Sequence, residues 1–129
     1  MNKSSTIDLL KSYNFYKSRS LFLKKEISIQ RQTAGTGIEA EETSTGRFES
    51  ELSQLIHKLD IIESCLKMVG EYNERYKYII ESHYINNVRI EDIADMTHMS
   101  RSRCYELCNE AISYMSRIIF GDDWSQAVI

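Results

Sequence analysis

The apolar residues between positions 47 and 70 recur at alternating steps of four and three residues. Those that keep this spacing are Phe48, Leu52, Leu55, Leu59, Ile62, Leu66 and Val69. A stripe of this kind, over about three heptads, is typical of a helix that packs along its length against another helix. We therefore predict a heptad-patterned helix over residues 47–70, ending at Gly70 because glycine commonly follows the last helical turn.

A second amphipathic pattern lies in residues 1–30, with lysines and arginines between its apolar positions. The residues on its apolar side are Leu9, Tyr13, Tyr16, Ser20, Leu23 and Ile27. We predict one long basic helix that needs a partner helix, because a small globule cannot cover its whole length. The pattern is equally consistent with antiparallel pairing inside one chain and with a homodimer through residues 7–29 and 48–69.

The segment between these two patterns, residues 31–46, is rich in Gly, Thr and Glu and has no periodicity. It predicts a flexible linker. The 129 residues contain no proline, and 42% are hydrophobic and 27% charged. This composition suits one or two small helical units and not the large core and deep cleft of a typical enzyme. The predicted fold class is all-α, and we expect no catalytic residues.

The charged residues are unevenly distributed along the chain. The chain has sixteen Lys and Arg residues and nineteen Asp and Glu residues, which gives a formal net charge of −3. Residues 1–34 hold seven basic and two acidic residues, whereas residues 71–129 hold six and ten. A DNA-binding domain usually carries a basic excess, so the acidic C-terminal half argues against strong autonomous DNA binding.

Three cysteines, Cys65, Cys104 and Cys108, follow no secretory signal. An odd number in this context predicts reduced thiols in a cytoplasmic protein. His98, Cys104 and Cys108 lack the close ligand pairs of zinc sites, so we expect no metal and no cofactor. No apolar run reaches the roughly 18 residues of a membrane span, and we expect no membrane partner.

Residues 71–129 contain three shorter helical patterns. The first places Tyr76, Ile79, Ile80, His83 and Tyr84 on one side before the sequence NNVR interrupts it. The second is IEDIADM, whose Ile90, Ile93 and Ala94 share a face. The third follows Ser100, and the residues that we expect to face inward on it are Cys104, Leu107, Ala111, Met115 and Ile118.

The second and third patterns are joined by the short turn THM. Small Ala94 would allow the two helices to approach, and Ser100 is a good N-cap, so the pair meets the steric needs of a helix-turn-helix. Exposed side chains at the start of the second helix of this motif reach base edges in the major groove. Our candidate DNA-binding residues are Ser100, Arg101, Ser102, Arg103, Tyr105, Glu106 and Asn109. Arginine, asparagine and glutamate can each read a base edge. The competing interpretation is a structural hairpin in a helical bundle.

Residues 74–120 resemble region four of bacterial sigma factors, which recognises promoters. The whole chain is similar to the ArpU/RinA-type phage late-gene regulators. In that family a long N-terminal helix, a variable linker, a helix that ends in ER plus hydrophobic residues, and a reading helix that starts with Ser-Arg follow in this order. The residues that carry the resemblance are Ile93, Ala94, Met99, Ser100 and the arginines after them. It implies a C-terminal helix-turn-helix domain over residues 71–129 and a phage or prophage activator of late genes that binds double-stranded DNA in a bacterial host cell.

The chain departs from that family at three positions. Arg89 stands where a Ser or Thr N-cap is usual, Thr97 where leucine is usual, and His98 where the turn often has glycine. His98 would therefore cost stability if its backbone needs a positive φ.

Two other functions are compatible with the same residues. One is a packaging protein like a phage terminase small subunit, which also couples a helix-turn-helix to long oligomerising helices. The other is an interaction module that binds host RNA polymerase or a sigma factor and does not read DNA. The lysine-rich face at Lys17, Arg19, Lys24 and Lys25 is either a solvated surface or a contact with phosphates or polymerase.

Overall fold

The computed structural model describes residues 2–33 and 39–121, with side chains over residues 3–32 and 46–121. Within these ranges the secondary structure is entirely helical, which confirms the predicted all-α class. The elements in chain order are α1 (Asn2–Thr33), α2 (Glu39–Tyr72), α3 (Glu74–Ile80), a π-helical turn (Glu81–Ile85), α4 (Ile90–Thr97) and α5 (Arg101–Phe120). None of the helices in the described ranges is long and apolar enough to cross a membrane.

The chain divides into two compact units, Tyr13–Asp60 and Met1–Ser12 with Ile61–Ile129. In the Tyr13–Asp60 unit, α1 and α2 are antiparallel and contact each other. The Lys58 ammonium lies 5.2 Å from the centre of the Tyr16 ring, and Arg31 pairs with Glu49. Arg19 forms a bidentate ion pair with Glu51, at 2.7 and 2.9 Å, which lowers the pKa of that carboxyl.

The core of this unit consists of residues from both predicted stripes. Leu23 and Ile27 of α1 and Leu55 of α2 are buried. Ser20 is also buried, and its Oγ is the one buried side-chain polar atom in the described part of the chain that lacks a hydrogen-bond partner. The other residues of the two stripes in this unit, Tyr13, Tyr16, Phe48, Leu52 and Leu59, are half-buried.

The second unit is organised around α5. Thr6 Oγ1 and Ser116 Oγ lie 2.7 Å apart and are buried, and the Cys65 thiol donates to the Met115 carbonyl at 3.7 Å. Both α3 and α4 also pack against α5. The first turns of α1, the end of α2, and α3 and α4 thus all contribute to covering one long helix.

All three cysteines, Cys65, Cys104 and Cys108, are buried and unbonded to one another. Burial raises the pKa of the Cys65 thiol to about 11 and also raises the pKa of Cys108, whose Sγ lies 3.6 Å from the Tyr84 hydroxyl. Within the described ranges no group of three or more His, Cys, Asp or Glu side chains is placed to hold a metal ion.

Two sequence predictions about helix ends are wrong. The predicted linker over residues 31–46 is helical at both ends, since α1 continues to Thr33 and α2 begins at Glu39, and residues 34–38 lie outside the described residues. The glutamates and alanine in the sequence EAEE at the start of α2 have good helix propensity, and their negative charge suits a helix N-terminus.

Gly70 does not end α2, which continues to Tyr72. A Cβ at Gly70 would lie 2.7 Å from Cδ of Lys77 on α3, so this glycine allows a close approach and does not act as a C-cap. The break comes at Asn73, whose side chain accepts a hydrogen bond from the Arg75 amide at 3.0 Å and caps α3.

Candidate nucleic-acid interface

The turn between α4 and α5 begins with a residue in the left-handed region. His98 has φ 57° and ψ 36°, and its amide donates to the Ala94 carbonyl. The Met99 amide donates to the same carbonyl at 3.0 Å, and the Thr97 hydroxyl donates to the Ile93 carbonyl at 2.7 Å. These bonds satisfy carbonyls that would otherwise lack partners at the end of α4. His98 thus has the positive φ on which its expected cost depends.

Ser100 caps α5, as predicted. Its backbone is extended, with φ −70° and ψ 154°, and its Oγ accepts a hydrogen bond from the Arg103 amide at 3.1 Å. Its carbonyl accepts from the Cys104 amide at 3.0 Å. The cap therefore fixes the first residue of α5, which determines the direction in which Arg101, Ser102 and Arg103 leave the helix.

Packing between α4 and α5 buries the predicted residues on both helices. On α4, Ile90, Ile93 and Ala94 are at most 2% exposed, and on α5 the buried residues include Cys104, Leu107 and Ala111. Ile118 is half-buried. The predicted site residues, Ser100, Arg101, Ser102, Arg103, Tyr105, Glu106 and Asn109, are all exposed. They form what we call the α5 surface.

Two of the side chains on the α5 surface are held by carboxylates of the same chain. Arg103 Nη1 lies 3.3 Å from Glu106 and 3.4 Å from Glu110, and hydrogen bonds to these two residues raise the pKa of the guanidinium. The Tyr105 hydroxyl donates to Glu91 on α4 at 3.1 Å, and this hydrogen bond raises the tyrosine pKa. The pKa of Glu91 is lowered, first by its own backbone amide and then by Tyr105.

Sequence reasoning placed Arg103 among the DNA-binding residues and treated Glu106 and Glu110 as negative charge that lowers nonspecific DNA affinity, but it did not predict that they pair with Arg103. Glu110 also accepts a hydrogen bond from the Tyr76 hydroxyl of α3, at 3.3 Å. Glu106 follows Arg103 by three residues, a spacing that brings helix neighbours together, and this is a signal in the sequence. Glu110 lies two turns beyond Arg103 along the same face. The contribution of Tyr76 needs the packing of α3 on α5, which no local pattern contains.

The surroundings of the α5 surface carry an acidic excess. The charged residues of α4, its N-cap and the first half of α5 are Arg89, Arg101 and Arg103 against Glu91, Asp92, Asp95, Glu106 and Glu110. Arg89 pairs with Asp92 at 3.3 Å and gives α4 no side-chain cap. Arg101 makes no ion pair within 4 Å among the described residues, and its charge helps to lower the pKa of Glu91.

No protein-family model, curated protein or solved structure matches this chain. The resemblance to the ArpU/RinA-type regulators therefore stays a prediction.

The Ser100 cap gives a direct test of how α5 begins. We expect Ser100→Ala to lower the free energy of unfolding by about 1 kcal/mol, because the Arg103 amide would lose its acceptor. Ser102→Ala removes an exposed hydroxyl from the same helical turn and should change the free energy by less than about 0.5 kcal/mol. Urea denaturation of both variants measures the difference, and equal effects would contradict the cap.

His98 and Asn87 are the two non-glycine residues with positive φ among those described, at 57° and 59°. A left-handed residue other than glycine or asparagine carries a cost of roughly 1–2 kcal/mol, partly offset in a glycine variant by backbone entropy. We expect His98→Gly to raise the free energy of unfolding by about 0.5–1 kcal/mol. Asn87→Gly should raise the free energy of unfolding by less, because asparagine tolerates the left-handed region. Thermal denaturation compares the two variants, and a larger stabilisation by Asn87→Gly than by His98→Gly would refute the explanation.

Proposed function

We propose that this chain is a DNA-binding transcription regulator in which α4 and α5 act as a helix-turn-helix. In this proposal α5 enters the major groove by its N-terminal end and α4 lies across the backbone. The observation that carries the proposal is a capped, exposed N-terminal turn of α5 that presents Arg101 and Ser102 immediately after a tight turn. The resemblance to phage late-gene activators supports a role at promoters.

The exposed residues of α5 have a spacing suited to base reading. Arg101, Tyr105 and Asn109 follow one another at four-residue steps and therefore form one stripe along the helix. Cys104, Leu107 and Ala111 are buried on the opposite side. An arginine can bind a guanine and an asparagine an adenine through paired hydrogen bonds, so this stripe has donors for two different bases.

The acidic excess around the α5 surface determines the kind of binding that we expect. Nonspecific affinity for DNA comes mainly from cations that neutralise phosphates, and here carboxylates occupy Arg103 and Arg89. Most of the affinity must then come from contacts that only a matching sequence supplies. The proposed regulator is selective and binds random DNA weakly.

The N-terminal part of the proposed architecture is a helical hairpin formed by α1 and α2. The homodimer through residues 7–29 and 48–69 stays a prediction. In the Tyr13–Asp60 unit, Leu23, Ile27 and Leu55 of the predicted stripes are already buried within one chain.

Arg101 is the residue to test first. We expect the protein to enrich one sequence from a library of random DNA duplexes, and Arg101→Ala to weaken binding to that sequence by about 1–3 kcal/mol without unfolding the chain. Fluorescence anisotropy on the enriched duplex measures the loss, and circular dichroism checks the fold.

The matched control is Lys67→Ala, which removes one positive charge from an exposed position of α2. It should leave the affinity for the enriched duplex nearly unchanged. If Arg101→Ala and the control bind that duplex as well as the original protein does, or if no sequence is enriched at any salt concentration, the proposal is wrong.

A second candidate function, contact with host RNA polymerase, is favoured by the outer side of α1. Phe15, Phe22 and Ile29 follow one another at seven-residue steps and are 65%, 49% and 53% exposed. Large apolar side chains at this spacing are typical of a helix that contacts a protein partner. The exposed Lys24 and Lys25 on the same helix suit an acidic partner surface and disfavour a second copy of α1.

A pull-down with purified RNA polymerase, after nuclease treatment, tests this candidate. We expect Phe15→Ser combined with Phe22→Ser to reduce capture at least tenfold, because the variant loses two exposed apolar contacts. Met68→Ser changes a similarly exposed apolar side chain on α2, at 52% exposure, and should not reduce capture. Equal capture by all three proteins would rule out this use of α1.

A further inference from the structure

Arg103 is in the first turn of α5, but its guanidinium lies beside residues further along the helix. Its Nη1 is 3.4 Å from Glu110, which is seven residues, or two turns, towards the C-terminus. Two turns of α-helix span roughly 10.5 Å along the axis. The side chain of Arg103 is therefore directed along α5, away from the end that the proposed function places in the groove.

Glu110 is more firmly positioned than Glu106. Glu106 has one described partner, Arg103, and is 66% exposed, whereas Glu110 is 47% exposed and also accepts the Tyr76 hydroxyl at 3.3 Å. The Tyr76 ring is packed in turn beside Tyr72 and Tyr114, with ring centres 6.0 and 6.2 Å away. Contacts from a second helix thus hold the Glu110 carboxylate where it meets the arginine.

We infer that Glu110 is a specificity-determining residue of the α5 surface, which holds Arg103 in place of a DNA phosphate and so limits binding to random sequence. This inference rests on the proposed function. A carboxylate and a phosphate are both acceptors for the guanidinium, so a phosphate that binds Arg103 through Nη1 competes with Glu110 for this donor. In a complex with random-sequence DNA, no other contact holds a phosphate beside Arg103. Replacing Glu110 by a phosphate there adds little to the affinity.

At a matching sequence the balance is different. Contacts from Arg101 and its neighbours to the base edges would fix the register of the duplex, and a phosphate would then be presented to Arg103 in a constant position. Glu110 therefore weakens the random complex more than the matched one. The ratio between the two affinities, which determines where a regulator is found on a genome, increases.

The variant that tests this is Glu110→Gln, which keeps the shape of the side chain and removes its charge. We expect it to bind a random-sequence duplex about fivefold more tightly, the factor that corresponds to one unit charge at contact distance in water. The dependence of log affinity on log salt should become steeper by about 0.9, as one more phosphate is contacted. Affinity for the enriched duplex should rise less than twofold, so that the specificity ratio falls.

Two controls separate this role from a general effect of charge. Glu71→Gln removes the same charge from α2, in a cleft shared with Lys67 and Lys77, and should leave both affinities unchanged. In the Arg103→Ala background, Glu110→Gln should gain nothing, because the effect acts through that arginine. Tyr76→Phe, which removes one partner of Glu110, should show a smaller gain in the same direction.

The outcomes distinguish this inference from the proposed function. Equal gains for Glu110→Gln and Glu71→Gln, a gain that persists without Arg103, or an equal rise for random and enriched duplexes would overturn the role of Glu110. The role of Glu110 is also overturned if Glu110→Gln binds both duplexes like the original protein. If Arg101→Ala no longer binds the enriched duplex in that case, the proposed function stands. If neither the original protein nor Glu110→Gln binds any duplex, both are wrong.

Discussion

The burial of one side of α5 is the constraint on which the C-terminal unit depends. Cys104, Leu107, Ala111 and Met115 lie on this side and are at most 5% exposed. Because α3, α4, the start of α1 and the end of α2 all contribute contacts to α5 or its neighbours, rotating this helix would disturb every one of them. The burial also fixes which residues face solvent, and these are the candidate site residues. The orientation of α5 therefore determines both the packing of the core and the exposure of Arg101, Tyr105 and Asn109.

The short helix α4 shows how the site depends on this packing. It has eight residues, fewer than an isolated helix needs to be stable in water, and no side chain caps its start. Its position comes from the burial of Ile90, Ile93 and Ala94 and from the turn that ends it. His98 stays in the left-handed region because this turn must bring Ser100 to the start of α5 within two residues. The strain at His98 is a local cost of placing two helices in contact.

Much of the fold could be predicted from periodicity and capping residues. The all-α class, the buried residues of α4 and the Ser100 cap follow from local patterns, and the structure agrees with them. The predictions of the helix ends were wrong where a residue type is compatible with two different local structures. Gly70 suits a helix end, yet here it makes room for Lys77, and this contact depends on how α3 folds back after Asn73. The segment after position 38 has loop-forming Thr, Ser and Gly, but the glutamates before them favour helix.

Within the candidate site, sequence reasoning predicted which side chains are exposed but not what they contact. Exposure follows from helical spacing once one buried face is known, whereas the partners of Arg103 and Tyr105 depend on tertiary geometry. Glu91 reaches Tyr105 from α4, and Tyr76 reaches Glu110 from α3. These contacts also reconcile the acidic charge with a DNA-binding role. In the proposed function, a carboxylate that already pairs with an arginine removes a nonspecific phosphate contact, and it leaves Arg101 and Asn109 available for the proposed base-edge contacts. If α5 binds DNA as proposed, the net charge of its surface determines how selective the binding is, and the side chains at its start determine which bases it can contact.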